Sequence, residues 1–419
     1  MTPVTHRDRS RQTGRTIAAE TDLRTTTRPL RSAAEVHGYV RRICFKTGPP
    51  TLVGAELEWM VTRERDPDEV VPLAELRTLI TPGLLRGGSS FTLEPGGQVE
   101  LSSTPARDLG LLHRHLADDV AALVARLGSA GISLVPSATD ARRLPTRQLS
   151  TRRYDAMEAY FDTLPHDLGR VMMCSTAAIQ VNLDAGRDAR EIATRWQLLE
   201  LLGPPLVAVF ANSPMRAGRP TGWKSTRQAV WQGLDPRRTH APVGADPVAA
   251  WADYALASPL MVLRTADEWR AAPGFTFGQW VEGQLPDLPA PSEDDLAFHL
   301  STLFPPVRPR GWFEVRYLDA QDPRWWPVPV AVVATALDHP DLHDRLREVC
   351  APVAGRWLVA ARGGPSDPAL ADAALAVFSA VVPRIDDADL RALTEDFHEH
   401  YLARGRCPAD DVATSEEAR

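Results

Sequence analysis

Lysine is almost missing from this chain: Lys46 and Lys224 are the only two among 47 basic residues in 419, the rest being arginine. Acidic residues outnumber basic ones, with a net charge of −7. The positive footprint of a nucleic-acid-binding protein is therefore lacking. Cysteine is scarce as well. Cys44, Cys174, Cys350 and Cys407 are far apart and form no CxxC pair, which points away from a zinc site and from a disulfide framework. Long hydrophobic runs are absent too: "PVPVAVVATAL" at 327–337 falls well short of the roughly 20 residues that span a bilayer. The polar N-terminus has an early "RDRSR" with no hydrophobic segment after it, unlike a secretory signal. A soluble cytoplasmic protein is expected, with disordered tails at 1–30 and 406–419. No GxxxxGK[ST], no GxGxxG after a strand, no HExxH and no GxSxG occurs. Nucleotide would not be held by a P-loop or a Rossmann turn.

What is present is a globular composition, 44% hydrophobic and 24% charged, with no internal repeat. A single α+β domain over 31–405 is the simplest organisation. Helices are expected at 32–44, 71–80 and 106–130, and in "TRRYDAMEAYFDTL"; "AREIATRWQLLELLGPPLVAVF" reads as helical before and after its double proline. The 51–61 stretch, "GISLVPSA", "STAAIQVNLD" and "RGWFEVRYLDAQ" read as strands, and Pro95-Gly96-Gly97 as a tight hairpin turn. The 211–240 segment reads as loop-rich, and the chain from 327 on as mostly helical. "HRH" at 113–115 falls on a helix surface, and Cys174 reads as a small buried apolar residue.

The strands share a pattern. Side chains two apart on a strand point to the same face. "GAELEW" therefore pairs Glu56 with Glu58, and "GGQVELS" aligns Gln98, Glu100 and Ser102. "AIQVNLD" aligns Gln180, Asn182 and Asp184, and "FEVRYLD" pairs Glu314 with Arg316. Each opposite face is apolar. A solvated sheet face is the plain explanation for any one of these. Several carboxylates on one face repel unless a cation compensates, and hard oxygen ligands suit Mg²⁺ shared with phosphate. Arg316 beside Glu314 would supply the fixed positive charge that phosphoryl transfer requires.

The stretches "GAELEW", "LEPGGQVELSS", "RYDAMEAYF", "STAAIQVNLD", "ANSPMRAGRPTGWKSTRQAVWQGLDPRRT" and "GWFEVRYLDAQ" resemble, in this order, glutamate–cysteine ligases of the plant and proteobacterial type. The nearest likeness is to the actinobacterial branch that makes γ-glutamylcysteine for ergothioneine. The resemblance runs from about 35 to 403. It implies a fold similar to the catalytic domain of glutamine synthetase, a curved antiparallel sheet whose concave face carries ATP, Mg²⁺ and glutamate. It further implies Glu56, Glu58, Glu94, Glu100, Gln180 and Glu314 as metal ligands, Asn182 and Arg316 at the nucleotide, and Arg316 in catalysis. Arg227 corresponds to the family arginine for the glutamate carboxylate, with Arg153, Tyr154 and Arg238 as further substrate-binding candidates. The implied reaction is ATP-dependent ligation of glutamate to cysteine through γ-glutamyl phosphate. A ligase of the same fold using another amine, and a non-catalytic sensor of nucleotide or amino acid, are the alternatives.

Overall fold

The computed structural model describes residues 28–81, 83–265 and 268–412. The alternating segments assemble into one six-stranded sheet. Its strands are β1 (Val53–Trp59), β2 (Ser90–Leu93), β3 (Val99–Ser102), β4 (Ala178–Asp184), β5 (Val307–Pro309) and β6 (Trp312–Asp319). The order is β5-β6-β4-β1-β3-β2, and every neighbouring pair is antiparallel. The fold is α+β, as expected.

One face is apolar because every second residue is: Ala55, Leu57, Leu101, Val181, Phe313 and Val315 are almost fully buried. Three helices cover that face, Leu109–Gly128 on β1, Ala189–Phe210 on β6 and Pro327–Asp338 on β4. Asp108 and Asp188 cap the first two by accepting from Leu111 N and Glu191 N, which satisfies amides left unpaired at a helix start. Truncating a wholly buried side chain such as Leu57 would cost about 2–5 kcal/mol. Burial of this face fixes the register, and a one-residue slip would turn every charged side chain into the core.

Several expectations are corrected. The 51–61 strand breaks at Met60: Val61–Arg63 leaves the sheet and pairs with Ile132–Leu134, the only part of "GISLVPSA" that is strand. Helix Ala189–Phe210 runs unbroken through Pro204 and Pro205. Proline removes a donor and crowds the preceding turn, but this stretch is wholly buried, and tertiary packing decides. The 211–240 segment contains a helix, Thr226–Leu234, capped by Ser225. His113 is half-buried, 5.8 Å from the Trp326 ring, while Arg114 and His115 are exposed. Packed structure reaches further towards both ends than expected. Leu30 is buried and donates to Pro291 O, Cys407 and Ala409 are buried, and Ala409 N donates to Ala211 O. The remaining tail residues, 1–27 and 413–419, lie outside the described residues. Among the described residues no single helix is long and apolar enough to cross a membrane.

Candidate active site

The face opposite the helices gathers the polar residues in rows. Register sets Glu58 across from Glu100, Glu56 across from Gln180, and Glu314 across from both Asn182 and Arg308. Glu58 accepts 2.9 Å hydrogen bonds from Gln180 Nε2 and Ala178 N. Glu56 accepts from Asn182 Nδ2 at 3.0 Å. Glu100 Oε1 accepts from Thr92 Oγ1 at 2.9 Å and Ser102 Oγ at 2.8 Å. Glu94 enters from the hairpin turn, close to the Tyr154 hydroxyl. That turn is tight by necessity, since a Cβ on Gly96 would stand 2.1 Å from Cys174 O.

These carboxyls hold their protons unusually well. Burial, then the charges of Glu314 and Glu100, pushes Glu56 up to about 7. Burial with Glu100 and Glu58 pushes Glu94 up to about 8. Burial raises Glu100 as well, as it does Glu58, where Arg227 and Arg316 pull the other way. Each residue is nevertheless partly exposed to solvent. A row of carboxyls that resists ionisation is short of positive charge.

The β5–β6 side has the opposite character. Arg308 Nε and Nη2 donate to Glu314 at 2.5 and 3.1 Å, Arg310 Nη1 at 3.1 Å and Arg316 Nη1 at 3.0 Å. Against the cost of burial, these three guanidiniums hold Glu314 well below the usual carboxylate range. Both its oxygens are engaged by these donors, so Glu314 gathers three arginines about itself. Arg316 Nη1 also donates to Gln180 Oε1, and its Nε is buried without a partner. A bulge in β6 between Val315 and Leu318 lies at Arg316, and bulges commonly re-aim a side chain. Arg308 and Arg310 were not anticipated, although their spacing of two in "VRPRGW" was a readable signal. Trp312, another addition, donates from Nε1 to Asn182 Oδ1 at 3.0 Å under Arg310.

The substrate candidates divide. Arg227 is buried, donates to Arg316 O at 2.7 Å and lies 4.6 Å from the Trp231 ring centre. Its Nε and Nη1 have no hydrogen-bond partner. Arg153 donates to Ser301 Oγ and O at 2.9 and 3.0 Å, and the charge of Glu94 acts on it. Arg238 does not join them. It is fully buried with Nη1 and Nη2 donating to Thr302 and Pro259 O, against the Tyr160 ring. It is a structural pin, tying the turn Pro236–Thr239 to the strand that begins at Pro259. Cys174 is buried and its thiol pushed up to about 12 by burial, which leaves it no nucleophile.

Rows of carboxylate, amide and guanidinium on an antiparallel sheet are the arrangement that the resemblance implies. The model of the glutamate–cysteine ligase family 2 matches residues 52–418. The chain belongs to that family. It is accordingly an enzyme, a ligase. Its similarity to curated relatives extends over nearly all its length. It is 40% identical over 389 residues to a protein of Mycobacterium tuberculosis named glutamate–cysteine ligase EgtA, covering 90% of this chain and 88% of that one. The protein of the same name from Mycolicibacterium smegmatis is 38% identical, with 93% and 92% covered. The chloroplastic glutamate–cysteine ligase of Arabidopsis thaliana is 35% identical over 57% of this chain and 47% of its own. Among solved structures, glutamate–cysteine ligase from Francisella tularensis in complex with AMP superposes with a TM-score of 0.50 at 15% identity. It covers 88% of this ligase and 85% of that chain, a likeness of fold.

Among the described residues no three His, Cys, Asp or Glu side chains form a ready metal cage. The ligase's carboxylates turn instead to amide and hydroxyl donors. Such an all-oxygen, carboxylate-rich set fits Mg²⁺, which keeps several waters and takes a few carboxylates together with substrate phosphates.

Proposed function

We propose that the ligase joins the γ-carboxylate of L-glutamate to the amine of L-cysteine at the expense of ATP, and that its product serves ergothioneine biosynthesis. The observation that carries this reading is the graded face, with carboxylates on β1 and β3, amides on β4 and guanidiniums on β5 and β6. A γ-carboxylate oxygen of glutamate attacks the γ-phosphorus of ATP and ADP departs. The cysteine amine then attacks the acyl carbon of γ-glutamyl phosphate, losing a proton as phosphate leaves. Arg316, with Arg308 and Arg310 beside it, supplies positive charge to the transferring phosphoryl group. Glu56, Glu58, Glu94, Glu100, Gln180 and Glu314 would hold Mg²⁺, which when bound neutralises phosphate charge. Asn182 borders the nucleotide, while Arg227, with Arg153 and Tyr154 near Glu94, receives the amino-acid end. Positioning and charge neutralisation suffice, and no covalent enzyme intermediate is required.

The test is ADP release from purified protein with ATP, Mg²⁺, glutamate and, separately, cysteine, glycine or ammonia. Release that depends on glutamate and is fastest with cysteine is expected; a faster reaction with another amine overturns the acceptor. For the pathway, disruption of the gene should abolish ergothioneine in the cell, and supplied γ-glutamylcysteine should restore it.

A further inference from the structure

The arginine assigned to glutamate sits on a helix start that is itself held by a buried carboxylate. Asp319, the last residue of β6, is buried. Its Oδ2 accepts from Asn212 N at 2.9 Å and Ser213 Oγ at 2.8 Å, and its Oδ1 from Ser225 Oγ at 2.9 Å. Both hydroxyls spend their single hydrogen on Asp319, so only their lone pairs face the helix. Ser213 Oγ accepts from Arg227 N, and Ser225 Oγ from Gln228 N, each at 3.1 Å. The carboxylate thereby sets two amides in the first turn of Thr226–Leu234. It also stands 3.7 Å from Arg227 Nη1, which is attraction without a hydrogen bond, so Nη1 and Nε stay unpartnered. A buried guanidinium with two free donors is poised for an anion.

We propose that Asp319, through Ser213 and Ser225, is the positioning residue that aims Arg227 at the α-carboxylate of glutamate. This rests on the reading of Arg227 as the glutamate-binding arginine. Asp319 lies at the far end of the strand that carries Arg316, so one strand fixes both arginines, Arg316 from its middle and Arg227 through this hub.

A double-mutant cycle tests it. In Asp319→Asn one serine hydroxyl must turn to accept from the new amide, and the first turn loosens. Glutamate KM should rise about tenfold, with ATP KM unchanged and kcat within about twofold. In the Arg227→Ala background the same substitution should add nothing to glutamate KM. Ser225→Ala, which removes one hydrogen bond and no charge, is read in the same cycle should Asp319→Asn not fold, with a several-fold rise that also vanishes without Arg227. An equal rise in both backgrounds, or an unchanged glutamate KM in these variants while Arg227→Ala raises it, overturns the positioning role alone. An unchanged glutamate KM in Arg227→Ala overturns the substrate assignment and the positioning role together.

Discussion

In the ligand-free ligase, stability should fall as pH rises through neutrality, opposite to the usual behaviour of paired carboxylates. Glu94 titrates at about 8 and Glu56 at about 7, raised by burial and by neighbouring carboxylates. In an unfolded chain both titrate near 4.3. Between these limits the folded protein holds protons that the unfolded chain has released, so each unit of pH favours unfolding. Below about pH 6.5 His299 acts in the opposite sense. Burial holds it neutral down to about 3, whereas its unfolded imidazole takes up a proton. Above about pH 8 the buried thiols of Cys44, Cys174 and Cys350, pushed up to about 12, add slope of their own. The interval from pH 6.5 to 8 isolates the carboxyls.

Each carboxyl contributes at most about 1.4 kcal/mol per pH unit. Titrations centred near 8 and 7 together amount to roughly 2 kcal/mol over that interval. These residues are partly exposed, so solvent screens part of this and leaves about 1 kcal/mol. Glu200, pushed up to about 8 by burial on a helix packed against the other face, adds loss of the same sign and serves as the internal control. The assay is urea unfolding at pH 6.5 and 8 of the wild type, the Glu56→Gln/Glu94→Gln double variant and Glu200→Gln. Each is measured with and without Mg²⁺ and a non-hydrolysable ATP analogue. The double variant should lose about 1 kcal/mol of the pH dependence, and Mg²⁺ with nucleotide should flatten the wild type by a similar amount. Glu200→Gln should keep that metal-sensitive part. A pH dependence equal in wild type and double variant, or indifferent to Mg²⁺ and nucleotide, refutes the reasoning.

Three further outcomes are expected. Arg316→Lys keeps the charge but loses the planar fork, so kcat should fall more than ATP KM rises; a pure KM effect would assign Arg316 to ground-state binding. Arg227→Ala should raise glutamate KM tens-fold or more, in keeping with about 2–5 kcal/mol for a buried carboxylate losing its partner, while steady-state titration finds ATP KM nearly unmoved. Glu314→Gln leaves three guanidiniums without their shared anion and should destabilise the folded state by about 3–5 kcal/mol without metal present; a metal-free thermal melt matching the wild type would refute that anchoring role.

The polar face was legible because a strand has a period of two and the apolar face leaves one register. Glu56, Glu58, Glu100, Gln180, Asn182, Glu314 and Arg316 could be assigned to one surface without knowing which strands pair. What those residues do to one another was not legible. Nothing about Glu314 signalled that Arg308 and Arg310 come beside it, since Pro309 between them discourages reading β5 as a strand. The burial of Arg227 was hidden because 211–240 read as loop, although Ser225 sits three residues before Gln228 in the position of a cap. Arg238 carried no signal of its role, since its main partners are backbone carbonyls far along the chain. The C-terminal boundary failed for a similar reason: "RCPADD" is polar, yet Lys224 pairs with Asp410 and Cys407 is buried.

The two amides of β4 explain how rows of opposite charge coexist on one sheet. Gln180 donates to Glu58 through Nε2 and accepts from Arg316 through Oε1. Asn182 donates to Glu56 and accepts from Trp312. A side-chain amide carries its donor and its acceptor on two separate atoms and has no net charge, so it joins carboxylate to guanidinium without adding charge of either sign. A carboxylate at 180 would stand against Glu58 and add to a row already raised by repulsion; a cationic residue there would neutralise the row that lacks positive charge. The neutral seam preserves the gradient from β3 to β5. That gradient suits a polyanionic substrate bridged by a cation, with the cation over the carboxylates and phosphate oxygens towards the arginines. The cost of holding it falls on the ligand-free protein and is offset by the apolar face beneath, where each buried Leu or Val contributes about 1.5–3 kcal/mol.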